Sequence, residues 1–252
     1  MTTDILPGAE PFSYAGGPNG VLVLHGFTGN PSSVRELGER LAAEGFTVTV
    51  PRLPGHGTTI EDMLTTVWDD WSGEALAAYD ALDASCEHVA VVGLSMGGGL
   101  TALVAERRPS VAACVFINAM VKPAVPELVD GVNQLIEAGL ETFESGNGAD
   151  VKKEGVTETS YSAWPLACLK NLFENITDVH ENLAAISAPS LVMVSREDHT
   201  VTVDNSEDLV ALVSGPVEHV WLEDSYHVAT IDNDQELVEN ATAAFLHRVF
   251  GQ

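Results

Sequence analysis

The chain has 252 residues, of which 45% are hydrophobic, and its formal net charge at pH 7 is −26. This length can bury one large core and is typical of a single α/β domain with an insertion. So negative a surface repels nucleic acid and anionic membranes, and neither is expected as a partner. The excess of carboxylates also suggests salt tolerance, because added salt would screen their mutual repulsion.

The N-terminal residues Met1–Pro7 contain neither a basic start nor an apolar run. A signal peptide is therefore not predicted, and a cytoplasmic location is expected. No apolar stretch approaches membrane-spanning length, so an integral membrane protein is not predicted. The three cysteines, Cys86, Cys114 and Cys168, form no C-x-x-C pair and are interpreted as reduced packing residues. The sequence predicts no metal site and no cofactor.

The first predicted strand is Val21–Leu24, and the loop His25–Pro31 follows it. Asn30 before Pro31 is typical of a helix N-cap with proline at the first helical position. Ligand sites in open α/β sheets form beyond the carboxyl ends of the strands, where this loop is expected. Within the loop, His25 is interpreted as a bracing residue.

The segment Gly93–Gly97 follows the buried-strand pattern His88–Val92 and precedes a helical pattern. A serine on such a sharp strand-to-helix turn is held in a strained conformation with its hydroxyl above the sheet edge. Ser95 is therefore the candidate nucleophile. The flanking glycines leave room for the turn, since side chains there would collide with the neighbouring strand and helix. The alternative interpretation is a glycine-rich turn with a solvated serine.

Acyl transfer also requires backbone N–H groups that stabilise the negative oxygen of a tetrahedral intermediate. The first predicted donor is Met96, directly after the nucleophile and at the start of a helix. The second is Phe27 in the loop after the first strand, with its ring facing an acyl pocket. Together the two amides form the predicted oxyanion hole.

Strand and helix patterns alternate from Val21 to about Asn118 and resume near Ala188, which predicts a mostly parallel sheet flanked by helices. Residues 120–186 between them are interpreted as a small cap over the active site, inserted into a core of residues 1–119 and 187–252. The cap contains helical stretches at Pro126–Leu140 and Leu166–Phe173, a polar break at Ser145–Gly148 and no clear buried strand. A helical insertion without a specific role is the alternative.

Apolar residues of the cap are expected to bind the substrate, because pockets for small molecules are lined mainly by apolar side chains. Ordinary core packing is the alternative for each of them. The candidates are Leu128, Ile136, Leu140, Trp164, Leu169 and Phe173.

A serine nucleophile requires a base to take its proton and an acid to hold the base in one tautomer. The predicted strand Ser190–Ser195 is followed by Asp198, and the predicted strand Val217–Leu222 is followed by His227. The order serine, acid, histidine along the chain, with each residue beyond a strand, is a known order of a catalytic triad. Asp198 is therefore the predicted acid and His227 the predicted base.

Other residues compete for these roles. Glu197 directly precedes Asp198 and is interpreted as a solvated loop carboxylate, whereas Asp204 is expected to cap a helix that starts near Asn205. Seven further histidines are present, and structural or solvated roles are expected for them. His227 is favoured because it lies directly beyond the last predicted strand.

Four segments carry a resemblance to a known family: His-Gly-Phe-Thr-Gly from His25, Gly-Leu-Ser-Met-Gly-Gly from Gly93, Glu-Asp-His-Thr-Val from Glu197 and Ser-Tyr-His-Val-Ala-Thr from Ser225. Together they resemble the small bacterial carboxylesterases and monoacylglycerol lipases of the α/β-hydrolase fold, over nearly the whole chain. The resemblance implies that fold and the same triad and oxyanion donors. It also implies a cap carboxylate that binds the glycerol hydroxyls, and Glu158 is the matching position.

These features predict a serine esterase that hydrolyses monoacylglycerols to glycerol and fatty acid through an acyl-enzyme. Its expected partner is a small-molecule ester, with transient contact with lipid aggregates, and the oligomeric state stays open. A general short- or medium-chain carboxylesterase or thioesterase would use the same residues. A non-catalytic ligand-binding relative is the alternative from another class.

Overall fold

The computed structural model describes residues 4–144 and 150–251. The polar break predicted at Ser145–Gly148 lies outside these ranges, as do the first three residues of the N-terminal segment. The described strands are β1 (Phe12–Tyr14), β2 (Asn19–Leu24), β3 (Thr47–Val50), β4 (His88–Leu94), β5 (Val111–Ile117), β6 (Thr142–Glu144), β7 (Ala163–Pro165), β8 (Ser190–Ser195) and β9 (Val217–Leu222).

Seven of these strands form one sheet, in the order β1-β3-β2-β4-β5-β8-β9. β1 pairs antiparallel with β3, and the other neighbouring strands are parallel. The predicted mostly parallel sheet is confirmed. β1 was not predicted, because three residues are too few to show a strand periodicity.

Helices connect the parallel strands and cover both faces of the sheet, as parallel pairing requires. Asn30 accepts a hydrogen bond from Ser32 N at 3.0 Å, so the predicted N-cap is confirmed, although it opens a short 3₁₀ turn, Pro31–Val34. The α-helices are α1 (Arg35–Ala43), α2 (Ile60–Met63), α3 (Trp68–Asp83), α4 (Met96–Arg107), α5 (Pro126–Glu137), α6 (Leu166–Asn182), α7 (Asp204–Leu212) and α8 (Gln235–Phe250).

Alternate residues of each central strand pack into different hydrophobic clusters, one on each face of the sheet. In β2, Leu22 packs with residues of α3, α4 and α6, whereas Val21 packs with residues of α1 and α8. Successive side chains of a strand point to opposite faces, so both faces of these strands must be apolar. Full burial of each leucine or valine contributes about 1.5–3 kcal/mol, and the core thereby fixes the sheet edge that carries the site.

The segment predicted as a cap contains more structure than its sequence pattern indicated. β6 and β7 pair antiparallel as a separate two-stranded sheet, which the prediction of no clear strand missed. The first helix ends at Glu137, earlier than predicted, and α6 extends well beyond the predicted end at Phe173. Ile176 on α6 packs in the cluster that contains α3 and α4, so this half of the segment contributes to the core. The boundaries of the cap remain predictions.

Candidate active site

The loops that follow β2, β4, β5, β8 and β9 leave the sheet at its carboxyl edge, because these strands are parallel. Ser95 follows β4, Asp198 follows β8 and His227 follows β9. In the order of the sheet, β5 and β8 lie between β4 and β9. All three candidate side chains therefore belong to one edge, where ligand sites of α/β sheets form.

Ser95 has the strained backbone expected of the turn between β4 and α4, with φ 56° and ψ −122°. This left-handed region is uncommon for a residue with a side chain and persists only where the surrounding structure imposes it. Ser95 N donates to Ile117 O at 3.0 Å, and Ser95 O accepts from Gly98 N at 2.8 Å and Met120 N at 3.0 Å. The end of β5 and the start of α4 thus hold the serine backbone on both sides.

The glycines around Ser95 are required by close backbone packing. A Cβ at Gly93 would collide with the carbonyl oxygen of Gly97, and a Cβ at Gly97 would collide with that of Leu24. These obstacles are main-chain atoms, which cannot swing aside as a flexible side chain can. The predicted reason for the glycines is therefore confirmed by the contacts.

The loop after β2 passes directly beside the serine. A Cβ at Gly26 would lie 3.2 Å from Ser95 Cβ and 3.6 Å from Ser95 Oγ. The next peptide carries the N–H of Phe27, whose ring contacts Trp71 edge-on at a centroid distance of 5.8 Å. The positive φ of Thr28, 60°, marks the bend that follows. The loop therefore passes the hydroxyl at Gly26, one residue before the amide predicted to belong to the oxyanion hole.

His25 braces this loop as expected. Its Nδ1 donates to Gly26 O at 2.9 Å, and its Nε2 accepts from Leu53 N at 3.1 Å, which fixes one neutral tautomer. Burial and the neighbouring His56 ring lower the pKa of His25 to about 3. The imidazole is neutral at physiological pH and both of its nitrogens are occupied.

Asp198 and His227 are joined by a hydrogen bond of 2.8 Å between Asp198 Oδ2 and His227 Nδ1. The Asp198 side chain is 0% exposed and that of His227 is 9% exposed. Asp198 Oδ1 accepts from Thr200 N and Val201 N, each at 2.8 Å. The carboxylate is thus fixed by two amides and leaves its other oxygen for the imidazole. Across the described parts of the chain, no hydrogen bond joins Ser95 Oγ to the imidazole.

The electrostatic surroundings of His227 favour its protonated form. Burial lowers the pKa of His227, but the carboxylates of Asp198, Glu158 and Asp150 oppose this effect, and the net pKa is raised. When His227 takes a proton, the resulting imidazolium is therefore stabilised by the nearby carboxylates.

The competing acids face other partners. Glu197 is exposed and lies 3.5 Å from Lys152 Nζ. Asp204 lies 2.7 Å from Lys122 Nζ and is the first residue of α7, which lacks a side-chain cap. The expectation that Asp204 caps this helix is therefore wrong, because its carboxylate is directed to a lysine and to Thr202.

The sequence analysis missed Asn118, which connects the acid strand to the base loop. Its Nδ2 donates to His227 O at 2.7 Å and to Ser195 Oγ at 2.9 Å, and its Oδ1 accepts from Ser195 N at 2.7 Å. The available signal was an asparagine directly after the buried strand β5, since Asn is enriched at the positive φ, 43°, that it adopts.

Glu158 lies beside the loop after β2. A Cβ at Gly29 would be 2.8 Å from Glu158 Oε1, and Thr28 O accepts from Tyr161 N at 3.2 Å. Burial raises the pKa of Glu158, against the opposing influence of His227 and of hydrogen bonds from Ser160 and Ser33. A carboxylate of the segment predicted as a cap is thus placed within electrostatic reach of His227.

The apolar residues predicted to bind substrate separate into two groups. Leu128 is 46% exposed and Leu140 is 41% exposed, so these two lie at the surface and not in an enclosed apolar pocket, and their contact with substrate stays a prediction. They lie on the outer side of α5 and beyond its end, away from the buried cluster. The others are buried or half-buried in or against the cluster that includes α4: Ile136, Trp164, Leu169 and Phe173.

Within residues 4–144 and 150–251, no group of three His, Cys, Asp or Glu side chains is arranged to hold a metal ion. The helices of the same ranges include none with the length and apolar composition needed to cross a bilayer.

The chain is similar to known proteins over almost its full length. A profile of the alpha/beta hydrolase family matches residues 21–240. A thermostable monoacylglycerol lipase from a Bacillus species is 39% identical and is covered over 98% of both chains. A carboxylesterase from Bacillus subtilis is 29% identical over 95% of this chain and 97% of the relative.

Solved structures show the same similarity. One comes from work on two metagenome-derived lipolytic enzymes, LipS and LipT, and superimposes with a TM-score of 0.92 at 39% identity. The match covers 97% of this chain and 100% of that chain.

Proposed function

Because the chain belongs to the alpha/beta hydrolase family, we propose that it is a serine esterase that hydrolyses monoacylglycerols to glycerol and a fatty acid. The observation that carries the proposal is the 2.8 Å hydrogen bond between Asp198 and His227, at the sheet edge that also bears the strained Ser95. Ser95 is the proposed nucleophile, His227 the base and Asp198 the acid that fixes the tautomer of the base.

Acylation begins when Ser95 Oγ attacks the ester carbonyl and His227 Nε2 takes the hydroxyl proton. The N–H groups of Phe27 and Met96 are proposed to donate to the resulting oxyanion, since preorganised amides stabilise that charge. The tetrahedral intermediate collapses, the bond from the acyl carbon to the alcohol oxygen breaks, and glycerol leaves with the proton from His227. The fatty acyl group remains on Ser95.

Deacylation repeats the same steps with water in place of the alcohol. His227 takes a proton from water, and the oxygen attacks the acyl carbon. When this second intermediate collapses, Ser95 Oγ recovers the proton and the fatty acid is released. No cofactor or metal is required by either half of the reaction.

We assign Glu158 to recognition of the glycerol hydroxyls. Its carboxylate lies against the loop at Gly29 and interacts electrostatically with His227, which is where the leaving alcohol would stand. The 39% identity to a monoacylglycerol lipase supports a glycerol ester as substrate. A partly buried carboxylate is a strong acceptor for two neighbouring hydroxyls.

The apolar cap residues divide between two proposed roles. Ile136, Trp164, Leu169 and Phe173 are proposed to contact the acyl chain, because they lie in or against the buried cluster. The exposed apolar side chains of the segment are proposed to contact lipid aggregates transiently, in line with the expectation for an apolar surface patch: Val125, Leu128, Leu140 and Phe143. Co-sedimentation with phosphatidylcholine vesicles would measure this contact.

We also propose a cytoplasmic location, because all three cysteines are unpaired. Burial raises the pKa of Cys114 to about 12 and that of Cys168 to about 11, so neither is a reactive thiolate. Unpaired, unreactive thiols are usual where the environment is reducing.

The test of the proposed chemistry is Ser95→Ala, assayed with monoacylglycerols. We expect turnover to fall by at least about 10⁴-fold, as for removal of other triad serines, while the acyl-enzyme seen by mass spectrometry after rapid quench disappears. Ser85→Ala, at an exposed serine in the turn after α3, is the control and should match the parent. Turnover by Ser95→Ala at the parental rate would be incompatible with the proposal.

A general carboxylesterase or thioesterase is the second candidate, favoured by the similarity to the Bacillus subtilis carboxylesterase. It would use the same residues but would not discriminate between alcohols. Values of kcat/KM for monoacylglycerols of graded chain length, beside aryl esters and acyl thioesters, separate the two. Saturable binding without turnover would instead support a ligand-binding relative.

A further inference from the structure

Asp150 lies between the loop that carries the proposed acid and the loop that carries the proposed base. Its Oδ2 accepts from His199 N at 3.0 Å and from His227 N at 3.4 Å, and its Oδ1 contacts His199 Nδ1 at 2.8 Å. Its carbonyl oxygen accepts from Val228 N at 3.1 Å. One residue of the predicted cap thus binds the backbone on either side of the Asp198–His227 hydrogen bond.

The charge of Asp150 also acts on both histidines. Its hydrogen bond and negative charge raise the pKa of His199, which is 59% exposed. It is one of three carboxylates that raise the pKa of His227, with Asp198 and Glu158. Of these three, Asp198 contacts the imidazole, whereas Asp150 approaches from the backbone side of the same residue.

A second carboxylate, Asp232, fixes the segment that follows Asp150. Asp232 is fully buried, and its two oxygens accept from the backbone N–H groups of Lys152, Lys153, Tyr226 and Asn233, each at 2.8 Å. Residues 150–153 are therefore bound to the base loop at both ends, by the Asp150 carbonyl oxygen at one end and by Asp232 at the other. Asp150 is consequently presented to His227 by a fixed backbone and not by a mobile side chain on a free loop.

We infer that Asp150 is a positioning residue for the proton transfer, acting through His227 and the acid loop. It sets the distance between the two loops and stabilises the positive charge that His227 acquires when Ser95 loses its proton. A negative charge near a forming imidazolium lowers the barrier only if its geometry is fixed beforehand, which the hydrogen bonds of Asp150 and Asp232 provide. This inference rests on the proposed function, because it requires His227 to be the base.

The test is Asp150→Asn, with Glu154→Gln as a control that removes a charge from an exposed position of the same segment. Asparagine preserves the size of the side chain and removes its charge. We expect kcat to fall about tenfold with little change in KM, since transition-state stabilisation is lost while the substrate contacts remain. The acid limb of the pH profile of kcat/KM should move to lower pH, because only Asp198 and Glu158 then raise the pKa of His227.

His199→Gln is a second test, for which the opposite shift of the acid limb is expected. It keeps the inference testable if Asp150→Asn does not fold. His199 faces Asp150, Asp198, Glu197 and the ring of Tyr226, and its exposed side chain should be replaceable without loss of folding. Glutamine cannot take up a proton and offset the negative charge of Asp150, so the acid limb should move to higher pH. Shifts of opposite sign are not expected from a general loss of stability.

The inference is overturned if Asp150→Asn shows the same kcat and the same acid limb as Glu154→Gln, or if the two limbs do not shift in opposite directions. That outcome is distinct from failure of the proposed function. An active Ser95→Ala variant would reject the function itself, whereas an inactive one together with an unaltered Asp150→Asn profile rejects only the role of Asp150.

Discussion

The two ends of the proposed proton relay are held in different ways. Around Ser95 the position is set by main-chain packing, in which Gly93 and Gly97 allow backbone segments to touch. Around His227 it is set by hydrogen bonds to side chains from distant parts of the chain: Asn118, Asp150 and Asp198. The nucleophile end is thus set by close main-chain contacts, and the base end is set by hydrogen bonds to side chains.

The two ends should therefore respond differently to substitution. Close main-chain packing has no spare volume, so a substitution at Gly93 or Gly97 should reduce folding stability, whereas a change at the Ser95 hydroxyl acts on the chemistry. A network of charged hydrogen bonds tolerates isosteric replacement, so a change at the base end should alter rate or pH dependence while the protein still folds. Substitutions at the two ends can therefore be separated by measuring stability and turnover on the same variants.

The largest effect is expected from Asp198→Asn at the base end. The asparagine amide would face His227 Nδ1 and favour the wrong tautomer, so that Nε2 no longer accepts the proton of Ser95. We expect kcat to fall by roughly 10⁴-fold, with the urea unfolding midpoint close to that of the parent. Steady-state kinetics and denaturation of the same preparation measure both quantities.

Glu197→Gln is the matched control for Asp198→Asn, since it removes one charge from the adjacent exposed residue. Its kcat should stay near the parental value. A tenfold loss of kcat corresponds to an increase of about 1.4 kcal/mol in the activation barrier. If Asp198→Asn lost less than that, the acid role of Asp198 would be wrong, because the base end would not depend on this carboxylate.

The next largest effect is expected from Gly97→Ala at the nucleophile end. The added methyl would collide with Leu24 O and lie 2.8 Å from His25 O, both of them main-chain atoms. We expect a loss of about 3 kcal/mol in the free energy of unfolding, measured by urea titration. Gly73→Ala is the control, because nothing lies within 4 Å of a Cβ at that position in α3. It should gain about 0.5–1 kcal/mol, and equal midpoints for the two variants would contradict the packing argument.

The same distinction explains what the sequence could predict. Ser95 was predicted from its neighbours, since a glycine-flanked serine between a strand and a helix is visible within a dozen residues. The strands β2, β4 and β8 were found because burial on both faces produces continuous apolar runs, as in Ser190–Ser195. Asp198 was found because it follows such a strand, and His227 was found because it follows the last predicted strand, β9, although most of that strand is exposed or half-buried.

The polar contacts of the base end were not predictable in this way. Asp150 and His227 are 77 positions apart, and Asp232 and Lys152 are 80 positions apart. No periodicity links residues at such separations, and a single Asp among many carboxylates carries no signal of its own. The exposure of Leu128 was missed for a related reason: an apolar residue at helical spacing indicates a helix face but not what covers that face.

The smallest effect is expected from added salt, which should again separate the two ends. The formal net charge of −26 destabilises the compact state through mutual repulsion, and raising sodium chloride from about 0.1 M to about 1 M shortens the Debye length from about 10 Å to about 3 Å. The melting temperature should therefore rise, by about 3 °C if screening recovers about 1 kcal/mol. Sodium chloride is preferred to sulfate, because sulfate strengthens apolar burial whatever the charge.

The hydrogen bond between Asp198 and His227 is shielded from solvent, so kcat should change little over the same series. A melting temperature that stays level or falls would mean that surface repulsion is not a significant cost, and a parallel fall in kcat would mean that the base end is more open to solvent than its burial indicates.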